Sequence, residues 1–314
     1  MNIIMLKKQF RRYRVNFHSF FKYQTYFLSR HLIPLINNQT ISICLSDNGH
    51  DGPSRTNFFL SSGLQIRRFI CLRSLVLCYI SNDTILCNIL GDCHQLVYLT
   101  HLKIINCSSV YTNSVDFSNT IWSLSTLTHC RLDIQCNFSI PTTVSLSLIY
   151  LSISSQSWTL SQIIELFQQT SSVQRFHTLL KRLKENKYQK LPSIPSMAML
   201  KLSHVYSFDT MVNILQAMPN LTNLKVDTFF TDCDGYRWAE MRDNYLPKLK
   251  IFRLQIHMKL LDKSHNARYV YELVDSFRNR FWLEKTSMLT SITVLKTDND
   301  AEDHLQSLLD RAPN

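Results

Sequence analysis

The segment Leu99-Thr-His-Leu102-Lys-Ile104-Ile-Asn-Cys107 constrains this chain more than any other. It fits the template L-x-x-L-x-L-x-x-[N/C] at every specified place once Ile is allowed at the sixth. One match of this kind carries little weight. Apolar residues at the first, fourth and sixth places return, however, at Leu72/Leu75/Leu77, Leu148/Leu151/Ile153, Met197/Leu200/Leu202, Leu221/Leu224/Val226, Leu249/Phe252/Leu254 and Leu289/Ile292/Val294. Three poorer copies fill the gaps, at Thr40/Ile43/Leu45 with Asn48 at the ninth place, Leu127/Cys130/Leu132 and Val173/Phe176/Thr178.

By first residue the series runs 40, 72, 99, 127, 148, 173, 197, 221, 249 and 289. Most of its steps fall in or beside the ~20–29 residue period of leucine-rich repeats. The first step (32 residues) and the last (40 residues) leave room for insertions. Alternate residues of a strand face opposite ways, so the fourth and sixth places point to one side and their neighbours to the other. A single unit of this kind cannot bury its apolar side; stacked neighbours can. The expected fold is therefore α/β, a leucine-rich-repeat solenoid (horseshoe) with a parallel concave sheet and outer helices. An ordinary α/β domain with Leu-rich strands is the competing reading, since strands alternate with helices in both.

Three parts follow from this pattern. Residues 1–39 form a basic, aromatic-rich helical lead-in that caps the array, with Lys7, Lys8, Arg11, Arg12, Arg14, Lys22 and Arg30 and no acid before Asp47. Residues 40–297 are the solenoid. Within it, caps at Asp83, Ser161 and Asp209 predict helices through Leu90, Gln168 and Met218. The last has Met211, Ile214, Leu215 and Met218 on one face and Pro219 as its stop. A further helix is expected over Ala267 to Lys285. Asp47 to Ser62 reads as a loop, and Arg175 to Pro195, with five lysines or arginines from Lys181 to Lys190, as a basic insertion near 180–195. Residues 298–314 are an acidic C-terminal capping helix or tail.

The motifs of common enzyme classes are missing. Five scattered glycines supply neither G-x-G-x-x-G nor a P-loop, and neither G-x-S-x-G nor H-E-x-x-H occurs. Asp232-Cys-Asp234-Gly235 starts like a calcium loop but lacks the remaining acids. Nine cysteines include no C-x-x-C pair and fit no zinc framework, so they read as buried thiols of a reducing compartment, cytoplasmic or nuclear. No run of about 18 uncharged apolar residues is present to span a membrane. The expectation is a protein with no catalytic residues, no metal and no cofactor.

The repeat register instead singles out a surface. The fifth place points away from the core and reads Cys44, Val76, Lys103, Arg131, Ser152, His177, Lys201, Lys225, Arg253 and Thr293. Half of these ten are Lys or Arg and none is acidic, whereas 34 basic residues in 314 would place about one there at random. His101, His129, Tyr150 and Arg175 from the third place widen this into a basic, partly aromatic ribbon, which Asp133 and Asp227 at the seventh place partly offset. Its expected partner is a protein with an acidic or phosphorylated segment.

The succession Leu72-Arg-Ser-Leu75, Leu99-Thr-His-Leu102, Leu127-Thr-His-Cys130, Leu148-Ile-Tyr-Leu151 and Met218-Pro-Asn-Leu221-Thr-Asn-Leu224 resembles the irregular, ribonuclease-inhibitor-like repeats of F-box/leucine-rich-repeat proteins. The resemblance covers residues 40–295. It implies substrate recognition for a cullin-based ubiquitin ligase, with the repeats holding the substrate and an F-box docking the ligase adaptor. The chain has no recognisable L-P-x-E opening of an F-box, so adaptor docking is expected only of a longer form. The alternative reading is a nucleic-acid-binding protein that uses the basic N-terminus and the 175–190 segment.

Overall fold

The computed structural model describes residues 12–16, 31, 33–47, 56, 65–107, 114–134, 138–180, 191–229, 234–259, 271–278 and 289–297. The chain divides into two compact units, Met1–Gln156 with Gln168–Ser172 and Ser157–Phe167 with Val173–Asn314.

The strands of the first unit follow one another in sequence order: β1 (Tyr13–Asn16), β2 (Thr40–Ser46), β3 (Ser74–Cys78), β4 (His101–Cys107), β5 (His129–Ile134) and β6 (Tyr150–Trp158). Each pairs in parallel with the one before. Helix α1 (Ile33–Ile36) precedes β2, α2 (Asp83–Cys93) links β3 to β4, and α3 (Ser114–Trp122) links β4 to β5. The second unit repeats the plan with β7 (Arg175–Leu180), β8 (Met199–Val205), β9 (Asn223–Thr228), β10 (Ile251–Lys259) and β11 (Leu289–Thr297), again parallel. Its helices are α4 (Leu160–Gln168), α5 (Phe208–Gln216) and α6 (Gly235–Tyr245). The fold class is thus α/β with parallel strands, as the alternation predicts.

The strand register is the one the template sets. Fourth-place residues Ile43, Leu75, Leu102, Cys130 and Leu151 are consecutive partners, as are sixth-place Leu45, Leu77, Ile104, Leu132 and Ile153. In the second unit Phe176, Leu200, Leu224 and Phe252 align, and so do Thr178, Leu202, Val226 and Leu254. None of these eighteen is more than 2 % exposed. First-place residues from Thr40 to Leu249 are buried as well.

A hydrogen-bond clamp at the foot of the strands holds this register. The second-place carbonyl of one unit accepts two N–H groups from the next: Arg73 from Thr100 and His101, Thr100 from Thr128 and His129, and Thr128 from Ile149 and Tyr150. Gln174, Ala198 and Thr222 do the same in the second unit. Just before each clamp, a buried apolar residue three places ahead of the first Leu accepts its N–H at 2.8–3.3 Å, as at Phe69, Leu96, Leu124, Ile194, Met218 and Leu246. Proline follows three of them, at Pro195, Pro219 and Pro247, where the missing N–H costs nothing in a turn. This upstream turn is part of the repeat, and the nine-place template does not contain it.

The strands also leave the sheet in a common way. Eighth-place Tyr79, Asn106 and His204 have φ of 57°, 51° and 59°, a left-handed kink that sends ninth-place Ile80, Cys107 and Val205 into the core. Cys107 Sγ accepts from Ile80 N at 3.4 Å and donates to Leu77 O at 3.7 Å, which ties one kink to the previous strand.

Several expectations are corrected. The lead-in is not helical throughout, because Tyr13–Asn16 is a strand on β2 with Val15 buried; four residues give too little alternation to be read. The helix caps are Asn82, Thr159 and Ser207 rather than Asp83, Ser161 and Asp209. Each accepts from the N–H three residues on, at 3.1, 3.2 and 3.3 Å. Arg175–Leu180 is β7 and not the start of an insertion. In β11, Ser291 and not Thr293 is the partner of Arg253, and Ile292 faces Leu254, a two-residue offset. A slip of two keeps each side chain on its face, so apolar pattern alone does not resolve it. Residues 181–190 and 298–314 lie outside the described residues, as does the expected 267–285 helix except 271–278, of which 271–276 are helical.

Asp234, from the segment resembling a calcium loop, caps α6 through Arg237 N at 2.9 Å. Gly235 is required there because a Cβ would overlap the backbone of Ser276, whose Oγ accepts from Gly235 N at 2.7 Å.

If these registers carry the stability of the fold, Leu102→Ala and Leu224→Ala should each lower unfolding free energy by about 2–5 kcal/mol in urea titration. Lys103→Ala, on the opposite side of β4, should change it by less than about 0.5 kcal/mol.

Candidate partner-binding face

The face opposite the core carries the third, fifth and seventh places, and each unit has its own arrangement there. In the first unit, Lys103 and Arg131 are register partners on β4 and β5 and both are exposed, while Ser152, next in the column, is buried. Arg131 lies 3.9 Å from Asp133 on its own strand. Both groups reach solvent, so the pair contributes at most about 1 kcal/mol.

Beside these cations, His101, His129 and Tyr150 are consecutive third-place partners. His101 stacks on His129 with centroids 4.3 Å apart and planes within 8°, and His129 on Tyr150 at 5.8 Å and 23°. Parallel in-register strands lie about 4.8 Å apart, so rings in one column meet face to face.

Each imidazole is fixed by the threonine before it. Thr100 Oγ1 donates to Arg73 O at 3.2 Å and Thr128 Oγ1 to Thr100 O at 3.1 Å. The histidine Nδ1 atoms each lie 2.9 Å from these hydroxyls, within hydrogen-bond distance. Burial, with Lys103 adding to it, lowers the His101 pKa below its ordinary 6.5, so the ring is neutral at pH 7.

In the second unit the fifth place reads His177, Lys201, Lys225 and Arg253 across β7 to β10 without an acidic member. Lys201 and Lys225 are half-buried and Arg253 is exposed. Arg175, the third-place cation, is exposed on β7 with Met199 as its partner. The nearest basic group to Asp227 is not one of these cations but His257, whose Nε2 lies 2.6 Å from Asp227 Oδ1.

Sequence reasoning missed three features of this face. Arg14 on β1 joins the third-place column as the partner of Ser42. Tyr206, Phe229 and His257 form a stack at 5.3 and 4.8 Å at the C-terminal ends of β8 to β10, with His204 edge-on to Phe229 at 5.4 Å. Burial lowers the His204 pKa most, Asp227 raises it and His257 lowers it further. Cys44 and Cys78, on neighbouring strands, share a hydrogen bond that holds the Cys78 thiol down to about 7 and pushes Cys44 up. The kink residue His204 and the short β1 have no periodic signal that could have revealed them.

Among the described residues no group of three His, Cys, Asp or Glu could hold a metal ion, and no helix is long and apolar enough to cross a membrane. No protein-family model matches the sequence, and no curated protein matches it either.

The two lowered histidines set a pH dependence. A folded-state pKa below 6.5 means the unfolded chain binds the proton more readily, so these histidines' contribution to stability is full above about pH 6.5 and is lost as pH falls from there through their lower folded-state pKa values. Thermal midpoints should drop between pH 7 and 5.5. His204→Asn, which keeps a residue tolerant of positive φ, should flatten that drop.

Proposed function

We propose that this chain is a non-enzymatic protein-interaction module of the F-box/leucine-rich-repeat type, in which stacked leucine-rich repeats bind an acidic or phosphorylated protein segment on a concave strand face. The role implied by the resemblance is substrate recognition for a ubiquitin ligase, in cytoplasm or nucleus. The observation that carries the reading is the alignment of Lys201, Lys225 and Arg253 on adjacent strands of the second unit, with Lys103 beside Arg131 in the first. Like charges directly opposite in a sheet disfavour pairing. A row of them is relieved when an anionic chain runs across it.

The repeat type is supported by the shared first, fourth and sixth places, the foot clamps and the eighth-place kinks. The seven cysteines among the described residues are free thiols, in keeping with a reducing compartment.

The test is capture of an array of acidic and phosphorylated peptides by the full chain. Lys201→Glu combined with Lys225→Glu should abolish capture and leave the circular dichroism spectrum unchanged, and wild-type capture should weaken as salt rises because exposed charges are screened over about 8–10 Å. Retained capture by the double variant refutes the reading. Preferred binding of RNA, with affinity falling linearly in log salt and lost on deleting residues 1–31, would put the nucleic-acid reading in its place.

A further inference from the structure

The third-place column of the first unit has a gap two strands wide. Arg14, Ser42, Ser74, His101, His129 and Tyr150 are consecutive partners across β1 to β6. From His101 to Tyr150 every strand contributes a ring, and the rings stack. On β3 and β2 the column drops to Ser74 and Ser42, half-buried side chains that end at a hydroxyl, and beyond them stands exposed Arg14. Among the described residues His101 has a stacking partner on its His129 side only.

The fifth place alongside the gap is laid with Cys44 on β2 and Val76 on β3, both half-buried, next to exposed Lys103 on β4. Lys103 makes no ion pair among the described residues, whereas Arg131 is already beside Asp133.

We infer that this gap is a slot for a phosphotyrosine side chain of a protein partner, its ring over Ser74 as the next member of the His101–His129–Tyr150 stack and its phosphate beside Lys103. The inference rests on the reading of the chain as a binder of acidic or phosphorylated segments, and it names the residue that such a segment must carry. The spacing fits a ring. A guest above β3 stands one strand, about 4.8 Å, from His101, which is the interval at which the resident rings already stack.

The fifth place lies about 6.6 Å further along the strand, on the scale of the distance from an aromatic ring to its para phosphoryl oxygens. Arg14 lies about 10 Å from Ser74 across two strand spacings, an interval that a guest ring and a guanidinium lying over its outer face together fill. A carboxylate or a phosphoserine would meet Lys103 equally well but would leave the His101 face, Val76 and Cys44 in contact with water. The apolar floor and the stack therefore select the ring, and the cations select its charge.

The test measures binding of the full chain to one fluorescent acidic peptide in four forms, carrying phosphotyrosine, phosphoserine, tyrosine or phenylalanine at its centre. Phosphotyrosine should bind about tenfold or more tightly than phosphoserine, from one stacked ring and one cation–π contact. Lys103→Glu should remove the gain from phosphate, and His101→Ala the gain from the ring. Ser74→Phe is the variant that does not put folding at risk, because it closes the gap with a ring of the protein's own. It should lower phosphotyrosine affinity to the phosphoserine level and keep or raise the thermal midpoint.

Equal binding of phosphotyrosine and phosphoserine peptides, or undiminished phosphotyrosine binding by Ser74→Phe, overturns the slot and leaves the broader reading standing. Failure of every acidic and phosphorylated peptide overturns both. Displacement of the phosphotyrosine peptide by AMP at a lower concentration than by free phosphotyrosine would assign the slot to a nucleobase and overturn it as well.

Discussion

At the foot of the strands, one carbonyl accepts two N–H groups from the strand that follows, at Arg73, Thr100 and Thr128 in the first unit and at Gln174, Ala198 and Thr222 in the second. The rest of the structure depends on this clamp. Between the strands it joins it sets the register, so there a residue's place in its own repeat decides which residues stand beside it. In a parallel sheet the side-chain period is two, and a slip of one residue would expose Leu102 and Ile104 and bury Lys103. The clamp opposes that slip through backbone hydrogen bonds alone. Threonine at the second place strengthens it, since Thr100, Thr128 and Thr222 each add a hydroxyl bond to the same carbonyl.

Much of the fold is legible because burial and periodicity act on the same residues. Leu102 and Ile104 are apolar, alternate with polar neighbours and are fully buried, so pattern and outcome coincide. The features that escape depend on single groups instead. Asn82 caps α2 through one oxygen, and only its geometry distinguishes it from Asp83 beside it. The kinks at Tyr79, Asn106 and His204 use three different side chains, so no residue type marks the eighth place. The offset of β11 shifts its pairing by two residues, the period of a strand, and is therefore silent in an apolar pattern. The members of the candidate site were legible for the same reason as the core: Lys103, Arg131, Lys201, Lys225 and Arg253 are defined by facing away from it.

Electrostatics on the second unit runs against what a sheet left to itself would choose. Lys201, Lys225 and Arg253 are neighbours at strand spacing, and alternating signs across strands would be worth a few tenths to about 1 kcal/mol per pair. The carboxylate best placed to supply an opposite sign, Asp227, is two residues from Lys225 and is engaged by His257 at 2.6 Å. Gln255 Nε2, 3.1 Å from His257 Nε2, crowds the same pair. The seventh place thus keeps its acid to itself, and the fifth place stays uniformly basic.

Aromatic residues follow the same column logic with a different result in each unit. Offset-stacked rings have centroids about 4.5–7 Å apart, a range that the spacing of parallel strands falls within, so like places in successive repeats can stack when they hold rings. In the second unit the stack Tyr206–Phe229–His257 sits at the strand exits, where the left-handed kink at His204 has already ended the regular register. In the first unit it sits inside the sheet, where the clamps fix the spacing and Thr100 and Thr128 hold the histidine rings through Nδ1. A stack inside the register can be extended only by whole strand spacings. The serines at Ser74 and Ser42 therefore do more than leave space: they leave it at a distance from His101 that the backbone, rather than any side chain, has set.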